Sequence, residues 1–164
     1  MERGQLKKAV VRACLSGCLI FLFSVLSGQG TDFSGMWQLD LTKSDANFGK
    51  YYSAMTCVIK QSAGTISIER ISVDKAGKKS SADPAIHTLD GREMSKEQFG
   101  GVDKYSAMWS ADKKNLTLRS KRTVNGADYG SNESYSLSSG GKILTVTTTD
   151  LTGGSKIVEV YILK

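Results

Sequence analysis

The sequence predicts an all-β domain, an antiparallel up-and-down β-barrel of about eight to ten strands over residues 31–164, behind a leader of different character over residues 1–30. Three observations lead there. Apolar residues recur at every second position in short runs from Thr31 onward. The runs are separated by turn formers at Ala63-Gly64, Ala76-Gly77, Ala111-Asp112, Asn125-Gly126, Gly140-Gly141 and Gly153-Gly154. No stretch of that region carries a long helical repeat, and its single proline is Pro84.

The elements follow in chain order. Trp37, Leu39 and Leu41 alternate with Gln38 and Asp40, as a strand with one buried face does. The weakly patterned segment Lys43 to Tyr52 leaves room for a short helix or a lid loop. Met55, Cys57 and Ile59 make the second strand. In the third, Ile66 and Ile68 share a phase that Ile71 and Val73 break, which predicts a bulge or bend near Glu69-Arg70. Short strands are expected near Ile86–Leu89 and Glu93–Phe99. The longer ones that follow are Tyr105-Ala107-Trp109, Leu116-Leu118-Ser120-Arg122, Glu133-Tyr135-Leu137, Leu144-Val146-Thr148 and Val158-Val160-Ile162. Strands joined in sequence by hairpins adopt an up-and-down order, and closing that order removes two edges open to aggregation. A two-sheet β-sandwich is the alternative architecture.

The leader reads as a secretory signal peptide. Arg3, Lys7, Lys8 and Arg12 precede an uncharged apolar or small-residue run from Ala13 to Ser27, and Gly28-Gln29-Gly30 offers small residues for cleavage near Thr31. At roughly 1.5 Å per residue the run reaches only about 22 Å, short of a hydrocarbon core of about 30 Å. Cleavage rather than stable membrane insertion is therefore expected, with the domain secreted or periplasmic. It would remove Cys14 and Cys18 and leave Cys57 alone, alternating with Met55 and Ile59 as a small buried hydrophobe. It would also halve the formal net charge of +6. Lys78-Lys79 and Lys113-Lys114 sit beside turn signals, as solvated loop lysines do, so no nucleic-acid partner is expected.

The residues give little support to catalysis. His87 is the only histidine and has no nearby Cys or acidic companion in sequence, so neither a metal site nor a Ser-His relay is expected. No carboxylate spacing singles out an acid–base pair. Gly100-Gly101 is not followed by a helix start, so it is not a phosphate-cradling loop. The expectation is a non-enzymatic domain without a cofactor.

Asp32-Phe33-Ser34-Gly35-Met36-Trp37-Gln38-Leu39-Asp40 resembles the first strand of lipocalins and fatty-acid-binding proteins, whose hallmark is a Gly-x-Trp at the closed end of the barrel. Lys43-Ser44 and Ser120-Lys121-Arg122 look like bacterial secreted lipocalin-like proteins. The resemblance implies a calycin-type barrel that takes a small apolar or amphipathic ligand. In it, Gly35 lets the chain turn into the first strand and Trp37 plugs the base. A barrel filled with side chains, acting through its loops as a protein-binding inhibitor or assembly factor, is the competing function. An outer-membrane barrel conflicts with Lys60, Arg119, Lys121, Thr147 and Thr149 on the outer phase.

Alternation carries Arg122 inward with Leu116 and Leu118, and an internal guanidinium needs a partner. Two readings stand. Arg122 pairs with Glu133 or emerges at the barrel rim; or Arg122 and the Tyr135 hydroxyl hold an anionic head while an apolar tail runs toward Trp109. The candidate ligand-binding residues are Arg122, Tyr135, Trp109 and Tyr105.

Overall fold

The computed structural model describes residues 30–98 and 101–164. The expected signal peptide therefore lies, apart from Gly30, outside the described residues, as does Phe99 at the end of one expected strand. Among the described residues, eleven strands form one antiparallel sheet with a single short helix: β1 Gly35–Leu39, α1 Ala46–Tyr51, β2 Tyr52–Gln61, β3 Thr65–Asp74, β4 Lys79–Ser81, β5 Ala85–Thr88, β6 Met94–Gln98, β7 Gly101–Trp109, β8 Asn115–Val124, β9 Ala127–Leu137, β10 Ile143–Asp150 and β11 Lys156–Leu163. The hydrogen-bonded order is β4-β3-β2-β1-β11-β10-β9-β8-β7-β6, with β5 also on β3. This is the up-and-down barrel and not the sandwich. The strand beyond the expected eight to ten is β4, a run of Lys, Ser and Ser without the apolar alternation by which a strand is recognised.

The sheet is not strictly closed, contrary to expectation. β4 and β5 lie end to end along the outer edge of β3, pairing with Ile71–Val73 and with Thr65–Ile68 respectively. β6 covers β7 only from Gly101 to Tyr105. Across the remaining seam β5 and β7 meet through side chains, His87 lying edge-on to Tyr105 with ring centroids 6.2 Å apart.

β3 carries no bulge at Glu69-Arg70. Its pairing with β2 runs unbroken from Ile66 to Val73, and the register shift falls at Tyr52/Ala54. Arg70 therefore continues the inward phase of Ile66 and Ile68, while Ile71 and Val73 are half-buried on the other face. In β11 the inward residues are Glu159 and Tyr161, and Ile162 is exposed. A pattern of Val158, Val160 and Ile162 points the other way because β-branched side chains are common on both faces of a strand.

Glycine at position 35 is required by its surroundings: φ is +153° and a Cβ would lie 2.8 Å from Leu163 Cδ1. Trp37 is buried at the base, its indole N–H donating to the Phe33 carbonyl at 3.0 Å. Around it Phe33, Ile59, Ile66, Leu116, Leu144 and Val146 are fully or almost fully buried, so this end of the barrel is solid. α1 occupies the weakly patterned segment after β1, capped by the Asp45 carboxylate, which accepts from the Asn47 amide. Phe48 ties it to the core.

Candidate functional site

Above the packed base the inward positions turn polar. Arg70 from β3 reaches across to β9, where its Nη2 donates to Glu133 Oε2 at 2.7 Å and to the Tyr135 hydroxyl at 2.9 Å. Tyr135 in turn donates to Glu133 Oε2 at 2.6 Å, closing a three-member cluster. Residues on opposite strands meet because 66, 68 and 70 on β3 and 133, 135 and 137 on β9 share the inward phase. On β11 the Glu159 carboxylate and the Tyr161 hydroxyl are bonded to each other, and Tyr161 also contacts Met55 Sδ at 3.6 Å.

The electrostatics follow from this placement. Burial alone drives the Glu133 carboxyl upward, but the Arg70 charge and the bonds from Tyr135 and Arg70 outweigh it and hold Glu133 below its ordinary value. Glu159 forms no ion pair among the described residues. Burial therefore prevails, and its pKa is raised despite the Arg70 charge and the Tyr161 bond. Burial opposes the charge on Arg70, yet Tyr135, Glu133 and Glu159 more than compensate and its pKa is raised. Burial lowers the pKa of His87 against the opposing influence of Glu133. Cys57 is buried and free, its thiol pushed up to about 12 by burial.

Beside the Arg70 cluster lies a cavity of about 150 Å³. Ile68, Ala85 and Leu118 supply apolar wall; Arg70, Glu133, Tyr135, His87, Tyr105 and Ser120 supply polar groups, and Arg119 completes the lining. It lies along the seam, where β5 and β7 are not joined by the sheet's hydrogen bonds among the described residues. His87 is 7% exposed, and its Nδ1 has no hydrogen-bond partner among the described residues.

The four sequence-derived candidates separate. Tyr135 and Tyr105 line this cavity. Arg122 lines the neighbouring rim pocket of about 280 Å³ with Asp103, Tyr105, Lys121 and Tyr129. There the Arg122 guanidinium binds Asp103 through Nε and, at 2.6 Å, through Nη2, and Tyr105 donates to the same carboxylate at 2.9 Å. Trp109 lies toward the base, stacked on Phe33 with ring centroids 5.9 Å apart.

Of the two places expected for Arg122 when it binds no ligand, pairing with Glu133 or emergence at the rim, the pairing with Glu133 does not occur and the guanidinium lies in the rim pocket on Asp103. The two-residue turn at Asn125-Gly126 pairs Val124 with Ala127, which puts Tyr129 opposite Arg122 and Leu118 opposite Glu133. That register was available from the turn. The missed residues are Arg70, hidden by the apolar Ile71 and Val73, and Glu159, hidden by Val158 and Val160.

No family model matches the chain, and no curated protein matches it in sequence. Solved structures do. Secretory abundant heat soluble protein 4 from Ramazzottius varieornatus superposes with a TM-score of 0.54 at 14% identity, covering 83% of this chain and 97% of that one. A secretary abundant heat soluble protein of the same organism gives 0.52 at 13% identity, covering 84% and 98%. The likeness is one of fold. A fatty-acid-binding protein from Manduca sexta, at 14% identity over 83% of this chain and 99% of that one, has a TM-score of 0.39, too low to carry an argument.

Proposed function

We propose that this chain is an exported, non-enzymatic barrel that takes a small apolar or amphipathic molecule into the cavity at its seam. The observation that carries the reading is the cavity itself. Apolar wall from three strands meets a few convergent polar groups, the composition that ligand sites share. Its size suits a small molecule or one end of a longer one, since a cavity of roughly 150 Å³ can hold a benzene-sized group. The solid base supports the rest of the reading, because burial there stabilises the scaffold while the half-open end remains available.

The test is saturable binding of a neutral apolar dye such as Nile red, compared with Ala85→Trp. Ala85 is exposed on β5 at the cavity wall, so a large ring there should obstruct entry and weaken binding at least tenfold with little change in Tm. Equal binding by both proteins would sink this placement, and absence of saturable binding would favour the filled-barrel, protein-binding alternative. Export belongs to the same proposal and rests on Arg3 to Ser27. N-terminal sequencing of secreted or periplasmic protein should find a start between Gly28 and Asp32; a retained Met1 speaks against it.

A further inference from the structure

Arg70 is the inward-facing cation of the cavity lining, and it is already neutralised. Glu133 pairs with it at 2.7 Å, and the charge of buried Glu159 also acts on it. The other inward guanidinium, Arg122, is held by Asp103 through two hydrogen bonds. Arg119, the remaining cation of the lining, is exposed and lies in the outward phase between Leu118 and Ser120, so a ligand carboxylate entering here would add a negative charge beside Glu133 with no unpaired inward-facing cation among the described residues to receive it. Desolvating such a charge is strongly unfavourable.

The hydrogen-bonding valences tell the complementary half. Both hydrogen bonds to Glu133 fall on Oε2, leaving Oε1 as an acceptor without a donor among the described residues. Among the described residues Arg70 bonds through Nη2 alone, so Nε and Nη1 remain donors. His87 Nδ1, in a residue more than nine-tenths buried, has no partner among the described residues. A buried, unsatisfied polar atom is costly unless something fills its valence. Open donors and open acceptors around an apolar wall call for a group that both donates and accepts. A hydroxyl does; an ether oxygen and a carboxylate only accept, and an ammonium only donates.

We infer that the cavity selects an uncharged, hydroxyl-bearing amphiphile, whose O–H donates to Glu133 Oε1 or His87 Nδ1 while its oxygen accepts from Arg70, and that it discriminates against carboxylates. This rests on the proposed ligand-binding function and adds the class of ligand.

The probes are octanol, its isomer heptyl methyl ether, octanoate and octylammonium, each displacing Nile red at pH 7.5. In the wild-type protein octanol should bind at least tenfold more tightly than each of the others. Because any apolar cavity disfavours a charged probe, the decisive readouts are the ether and the variants. Glu133→Gln frees the Arg70 charge, and the octanoate-to-octanol affinity ratio should rise at least tenfold. Should that variant fail to fold, the double variant Arg70→Met with Glu133→Met replaces the pair by apolar groups, a change that buried ion pairs often tolerate. There the advantage of octanol over the ether should disappear.

Several results would overturn the inference while leaving the ligand-binding reading intact. They are equal affinity for octanol and ether in the wild type, an unmoved ratio in folded Glu133→Gln, an octanol advantage that survives the double variant, or octylammonium binding tighter than octanol. Failure of Nile red and of every probe to bind would instead remove both.

Discussion

Trp37 and Glu159 show what a single residue contributes in each half of the barrel interior. Trp37 is 1% exposed, and its indole N–H is satisfied by the Phe33 carbonyl, so truncation removes both apolar burial and a hydrogen bond. Trp37→Ala should cost about 3–5 kcal/mol of stability, read from denaturant midpoints, with the cavity's affinity for Nile red little changed if the variant stays folded. Loss of binding at unchanged stability would instead place Trp37 in the site. Glu159 acts through its proton. Its folded-state pKa lies above the ordinary 4.5, chiefly through burial, so the folded protein holds the proton more tightly than the unfolded chain does. That contribution is full below the ordinary value and is lost as pH rises through the raised one. Glu133, held lower by Arg70, works in the opposite sense and in a different window: its contribution is present above the ordinary value and lost as pH falls through the depressed one. Glu159→Gln should therefore gain stability relative to wild type as pH rises above the ordinary carboxyl value of 4.5, as followed by urea melts. A constant difference over that rise would contradict the burial of the carboxyl.

At the scale of elements, the β8–β9 hairpin carries most of the polar geometry, and its register comes from two local features. Asn125 and Gly126 occupy the turn with φ of 50° and 78°, the combination that two-residue hairpins favour. Four residues later Gly130 has φ +153°, and a Cβ there would lie 2.1 Å from the Ser120 carbonyl oxygen and 2.9 Å from Lys121 Cα. The backbone of β8 cannot retreat without breaking the ladder that pairs Leu118 with Glu133. Gly130→Ala should consequently destabilise by more than about 1 kcal/mol, whereas Gly64→Ala, with nothing within 4 Å, should be neutral or slightly stabilising. Thermal melts of the two variants compare the same chemical change in crowded and open surroundings. Similar Tm values would mean that β8 and β9 do not approach as described.

The whole molecule is a barrel with one weak line. β4 is three exposed residues, Lys79 to Ser81, and β6 carries exposed Ser95, Lys96 and Glu97, so the two sheet ends are short, polar and charged. Such edges resist pairing with another chain while leaving the seam unsealed. The strands farthest from the seam, β1, β11, β10 and β9, bury Trp37, Tyr161, Leu144 and Tyr135 completely or nearly so. Local opening should therefore begin at β4, β5 and β6, and hydrogen exchange should find their amides the least protected among the strands. A saturating octanol concentration should slow exchange in β5 preferentially. Uniform protection around the barrel would mean that the seam is not where it opens.

Much of this was readable from the chain alone. Alternation placed Trp37, Met55, Cys57, Ile59, Leu116, Leu118, Tyr135, Leu144 and Val146 inside correctly, because a strand with one face on the core must alternate. The turn dipeptides marked the hairpins because the φ values they need belong to few residues. Reading a strand by its apolar side chains failed where the buried face was polar, as at Arg70 and Glu159, and where a strand had no apolar face at all, as at β4. Only the tertiary structure decided that Arg70 spans the barrel to Glu133 and Tyr135, that Asp103 on β7 takes Arg122, and that the sheet stops short of closure beside His87. These are contacts between strands remote in sequence. Alternation says which way a side chain points but not which side chain on the opposite wall it meets, and buried charges find partners by proximity across the barrel rather than by position along the chain.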